Sequence, residues 1–118
     1  MPKNWKNANC YGYATNKNKW LLVNDYEYHG EALLELNPSW KAVRRENMVL
    51  GKSYVAYRYG AHDFHYMFRD HLGHWTHKMG SHKVAPISQK KVFHKFWGGY
   101  NGIALYTSRI WLYEVPSR

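Results

Sequence analysis

The sequence is short of thiols and of acids. Cysteine occurs once in 118 residues, at Cys10, so no internal disulfide frames the fold and a reducing compartment suits the chain. Eight acidic residues stand against seventeen basic ones, giving a formal charge of +9. Such an excess points to an anionic partner: nucleic acid, a membrane surface or an acidic polymer. No apolar run is long enough to span a bilayer, and the start, MPKNWKN, is polar and basic rather than a cleavable leader. A cytoplasmic location without a membrane partner is therefore expected. Repeats, low-complexity tracts and Gly/Ser linkers are also missing, which predicts a single domain over residues 1–118.

What is abundant is aromatic. Eleven Tyr and six Trp bring the aromatic share to 18%, and such residues favour strands and bury large areas. Asn9 is placed to cap a short helix from Cys10 to about Thr15. EALLEL (31–36) favours helix weakly, and NPSWKAVRREN predicts another, with Asn37 as cap and Pro38 in the first turn. Trp40 and Val43 would share its inner face, leaving Lys41, Arg44 and Arg45 to solvent. After Gly51 the pattern turns to strands: 53–60, 63–70, 74–80, 92–97, and one or two within 103–115 after the turn cluster GGYNG. The sum is an α+β domain, its helices gathered at the N-terminal end on a four- to five-stranded antiparallel sheet.

A thiol attacks as thiolate, so a nucleophilic cysteine needs a helix N-terminus, a cation or a histidine to lower its pKa. Cys10 stands at the expected helix start, where free N–H groups favour negative charge and can also hold an oxyanion. That position predicts a partly accessible thiol with a depressed pKa. It still requires a base and a group to orient the base.

Six of the eight histidines lie between 62 and 82. Asp70 and Gly73 fit the ends of a type I turn, with Gly73 as the left-handed residue of a three-residue hairpin loop. That loop pairs Asp70 with His74 and Met67 with His77, so His65 and His77 become diagonal neighbours on one face. A loop of two or four residues would separate them. His65 and His77 are thus the pair able to cooperate, one as base and one fixing its tautomer. His62, His71, His74 and His82 are expected at the surface or in turns.

The order Asn-Cys at a helix start, His at a strand start, and a second His about a dozen positions on resembles NlpC-type cysteine peptidases, members of the papain-like group. NCYGYA (9–14) and DFHYMFRDHLGHWTHKMG (63–80) also look like a pattern in uncharacterised bacterial and phage proteins. The resemblance implies a papain-like fold and thiol hydrolysis of an amide, peptide or isopeptide bond, without a cofactor. It implies Cys10 as nucleophile, His65 as base and His77 as orienting residue, with Asp63 as the alternative orienter. A cell-wall peptide or a host protein would be the substrate, the former needing delivery out of the cytoplasm. The glutamine that papain places ahead of its cysteine is absent, and Asn4 and Asn7 are the amides available in its place.

Rival readings rest on other residues. Zinc competes for the histidines, but helical two-His and cysteine-rich ligand sets are missing, and hairpin alternation scatters the imidazoles over two faces, so no metal is expected. Lys78, Lys83, Lys90, Lys91 and Lys95, interleaved with Phe93, His94, Phe96 and Trp97, would suit a nucleic-acid strand. The plainer reading is a solvated basic face over a sheet whose aromatics point inward. A third possibility is a catalytically inactive papain-like protein that binds a partner.

Overall fold

The computed structural model describes residues 5–23, 26–60, 63–95, 97 and 106–118. Its centre is β2 (Ser53–Tyr59), whose residues are all buried or nearly so. Tyr54 and Ala56 point to one face and Val55 and Tyr57 to the other, so the strand packs on both. β2 pairs antiparallel with β3 (Phe64–Arg69) on one side and β6 (Trp111–Val115) on the other. β4 (Trp75–His77) extends the sheet beyond β3, and two-residue strands, β1 (Lys41–Ala42) and β5 (Ala85–Pro86), close its edges. The order is β1-β6-β2-β3-β4-β5, an open antiparallel sheet of six strands where four or five were expected. The added strands are the two short edge pairings, which have no periodicity to betray them.

Both faces are covered. On one lie α1 (Cys10–Ala14) and α2 (Tyr26–Leu36), packed with Val55, Tyr57, Tyr66, Phe68 and Tyr113. Tyr11 stacks on Tyr66 at 4.6 Å between ring centroids, and both hydroxyls reach His29 of α2. On the other face Tyr54, Ala56, Met67, Trp75 and Leu112 pack against Val92 and Trp97. Arg58 enters this second core completely buried, and its guanidinium donates to the carbonyls of Val92, His94, Lys95 and Thr107. Carbonyl oxygens take the place of a carboxylate there, satisfying the two terminal nitrogens of a cation that would otherwise be costly to bury.

Two expected elements are corrected. Residues 37–47 do not form a helix: they give a turn, β1 and a 3-10 turn at Arg45–Asn47. Asn37 finishes α2 instead of starting a helix, its backbone and side-chain amides both donating to the Leu33 carbonyl. Residues 92–95 do not form a strand. Ser88 caps α3 (Gln89–Val92), its hydroxyl accepting from the Lys91 N–H, and the carbonyls that follow are taken by Arg58. Asn4, His62, Phe96 and the GGYNG turn lie outside the described residues. Among the described residues no helix is long and apolar enough to cross a membrane.

Candidate functional site

Asn9 builds the start of α1. Its side-chain oxygen accepts from the Gly12 N–H at 2.9 Å and the Leu21 N–H at 3.2 Å, while its amide donates to the Leu21 carbonyl at 2.6 Å. One residue therefore caps the helix and clasps the returning loop against it. Gly12 is required by that closure, since the Lys17 and Lys19 carbonyls occupy the space a Cβ would take.

Cys10 follows the cap and is only 6% exposed, its thiol directed at the Phe64 carbonyl 4.0 Å away. This corrects the expected accessible, acidic thiol. Burial pushes the Cys10 pKa up to about 12, with the Asp63 carboxylate adding to the rise. Backbone N–H groups of Tyr66 and of the helix start act in the other direction. A helix of five residues offers too little field to offset removal from water.

The histidines are set by a hairpin. The Gly73 N–H donates to the Asp70 carbonyl and the Asp70 N–H to the His74 carbonyl, both at 3.0 Å, and Gly73 takes φ +91°. The Asp70 carboxylate accepts from the Leu72 and His74 N–H groups inside the turn. This three-residue loop pairs Met67 with His77, and His65 Nε2 then lies 2.8 Å from His77 Nδ1. His65 is buried, and burial followed by the neighbouring His77 lowers its pKa to about 3. Burial also lowers His77. Both rings are neutral at ordinary pH. Where His65 donates through Nε2–H to His77, its Nδ1 is the nitrogen able to take a proton; the reverse direction would leave Nδ1 protonated.

Strand alternation directs His65 to the face opposite α1, where it packs on Trp97 at 5.7 Å between rings. Cys10 packs on the α1 face. The two nevertheless line one cavity of about 360 Å³ at the end of β3, together with Asp63, Gly80, His82 and Tyr106. Among the described residues there is no hydrogen bond between Cys10 and His65. Trp20, Leu22 and Met79, each more than half exposed, form an apolar rim to the same cavity. Asp63 does not bond the histidines: its carboxylate accepts from the Phe64 N–H and the Tyr106 hydroxyl, both at 2.8 Å. Asn7 is exposed and its N–H donates to Asn18.

Other candidates separate. His71, His74 and His82 are exposed, and among the described residues no group of three His, Cys, Asp or Glu side chains is placed to hold a metal ion. The proposed basic strip is broken, because Lys78 is buried and Trp97 belongs to the second core, under Arg58 at 4.7 Å. Tyr106, the rim of Trp20 and Met79, and the clasp made by Asn9 escaped sequence reasoning. They join the cavity through contacts between segments far apart in the chain. The chain matches no protein-family model, no curated protein and no solved structure.

Proposed function

We propose that this chain is a thiol hydrolase of peptide or amide bonds, with Cys10 as nucleophile, His65 as general base and His77 as orienting residue in a papain-like arrangement. The observation that carries this reading is the shared cavity: the thiol at a helix start and a histidine locked by a second histidine open on the same space. Both groups rest uncharged, so the proton leaves sulfur as the substrate carbonyl is attacked rather than beforehand. The Cys10–His65 contact, not made among the described residues, is then formed in the substrate complex. The Cys10 sulfur bonds to the carbonyl carbon while its proton passes to His65 Nδ1. The C–N bond then breaks and that proton goes to the departing amine. Water cleaves the resulting thioester, releasing the acid and restoring the thiol.

His77 accepts from His65 Nε2–H throughout, holding the tautomer that leaves Nδ1 open and steadying the imidazolium once formed. The rim of Trp20, Leu22 and Met79 suits a substrate with a bulky apolar side chain next to the scissile carbonyl. A panel of short peptidyl amides varied at that side chain tests the reading. Wild type should cleave the apolar members, C10A should cleave none, and H65A should be strongly impaired. A C10A protein with wild-type turnover would end it. The burial of Cys10 favours a second reading, an inactive domain whose cavity binds an apolar segment of a partner. That reading predicts binding of the same peptides without cleavage.

A further inference from the structure

Lys78 follows His77 at the end of β4, and alternation places it on the α1 face with Thr76, whose hydroxyl is hydrogen bonded to Tyr13 of α1 at 2.5 Å. The Lys78 residue is 2% exposed, and its ammonium donates to the Gly80 carbonyl at 2.6 Å. Lysines this buried are ordinarily paired with a carboxylate. Among the described residues no carboxylate forms a salt bridge with Lys78. Gly80 itself takes φ +56° and lines the cavity beside Cys10.

We propose that Lys78 is a positioning residue for Cys10: its ammonium, fixed on the Gly80 carbonyl behind the cavity wall, is the counter-charge for negative charge developing on the sulfur. This rests on the reading of Cys10 as nucleophile. It also gives three consecutive residues a task, with His77 holding His65, Lys78 holding Gly80 and Met79 standing on the rim. Burial lowers the Lys78 pKa, and the nearby Cys10 offsets part of that fall. The other groups facing the thiol do not supply a cation. Asp63 opposes thiolate formation, Tyr11, Tyr66 and Tyr106 are phenols, His65 is neutral, and His82 is exposed at the rim. A cation in a poorly solvated site acts on a neighbouring charge far more strongly than in water.

The test needs no substrate. Cys10 is the sole thiol, so intact-mass measurement of iodoacetamide addition reports on it alone. Rates between about pH 8 and pH 10.5 follow the thiolate fraction, a tenfold change for each unit of pKa. K78M should react roughly three- to tenfold more slowly than wild type at the lower end of that range, the difference shrinking as Lys78 itself loses its proton, with K78R within about twofold of wild type at the lower end. K78Q keeps a donor for Gly80 without the charge and should match K78M, which covers the case in which K78M does not fold by circular dichroism. Equal rates in K78Q and wild type at that lower end would overturn the proposal. Faster reaction would also overturn it, showing that Lys78 only closes the wall. A wild-type thiol unreactive throughout would do the same. Turnover by C10A tests the hydrolase reading separately, so the two can fail independently.

Discussion

His65 Nε2 and His77 Nδ1 meet at 2.8 Å because their positions are diagonal across the β3–β4 ladder, His77 being opposite Met67. The contact depends on the turn: one residue more or less between Asp70 and His74 would send the two rings to opposite faces. In the proposed arrangement His65 donates through Nε2–H to His77, and its Nδ1 is the nitrogen that serves as base.

If His77 orients and His65 acts, their substitutions differ in degree. H65A should lower turnover on an apolar peptidyl amide by about 10²–10⁴-fold, the usual contribution of a general base. H77A should lose roughly ten- to a hundredfold, since its loss loosens geometry without removing the base. H77Q, whose side-chain oxygen can accept from Nε2–H, should recover part of that loss. Equal losses in H65A and H77A, with both folded, would contradict the division of roles.

The buried His65 makes stability pH-dependent. Its pKa falls from the ordinary value to about 3 in the folded protein, so the unfolded chain binds the extra proton between about pH 6.5 and pH 3. Stability is complete above pH 6.5 and declines as pH falls through that window. For His65 alone the decline from pH 7 to pH 5 is about 2 kcal/mol. His77 and His29 are lowered too and act in the same sense. Urea denaturation at the two pH values should show the decline, and H65Q should reduce it by about His65's share. An unchanged pH dependence in H65Q would count against the buried neutral ring.

Arg58 ties Val92, His94, Lys95 and Thr107 to the sheet through their carbonyls and lies over the Trp97 ring. R58M fills similar space but leaves those acceptors unsatisfied, and should destabilise by about 3 kcal/mol. R58K cannot reproduce the planar fork and should fall between R58M and wild type. Denaturant midpoints give the measurement, and a change below about 0.5 kcal/mol in R58M would refute the anchoring role.

Two glycines are held by close approach rather than by a turn. The indole of Trp111 occupies the space a Cβ on Gly30 would need, and the Lys17 and Lys19 carbonyls do so at Gly12. G30A and G12A should each cost about 1–3 kcal/mol by overpacking. G12A should in addition speed alkylation of Cys10 by loosening the loop clasped to α1. Thermal melting separates the two effects from an undamaged fold.

Local chemistry was legible in the sequence wherever one residue had one plausible partner. Asn9 before Cys10 announced α1, and Asp70 with Gly73 announced the loop that sets the histidine register. Asn37–Pro38 was ambiguous, because the same pair that can open a helix can also follow one that has ended. The Leu33 carbonyl, bonded twice by Asn37, decided between them. Val92–Trp97 has strand composition, yet the Ser88 cap and the distant Arg58 side chain take its backbone groups. The pKa of Cys10 was out of reach for a related reason. A helix start is visible in sequence, whereas the Phe64 and Tyr106 side of the cavity that holds the sulfur is assembled only by folding.

The most direct measurement is capture of the acyl-enzyme. Incubation with a p-nitrophenyl ester of an apolar N-acyl amino acid should transfer the acyl group to Cys10, releasing p-nitrophenol and adding one acyl mass to the intact protein. Peptide mapping should place that mass on Cys10 as a hydroxylamine-labile thioester, with formation at least about tenfold slower in H65Q. Acyl transfer to any residue other than Cys10, or an equal rate in wild type and H65Q, would contradict the role given to the pair.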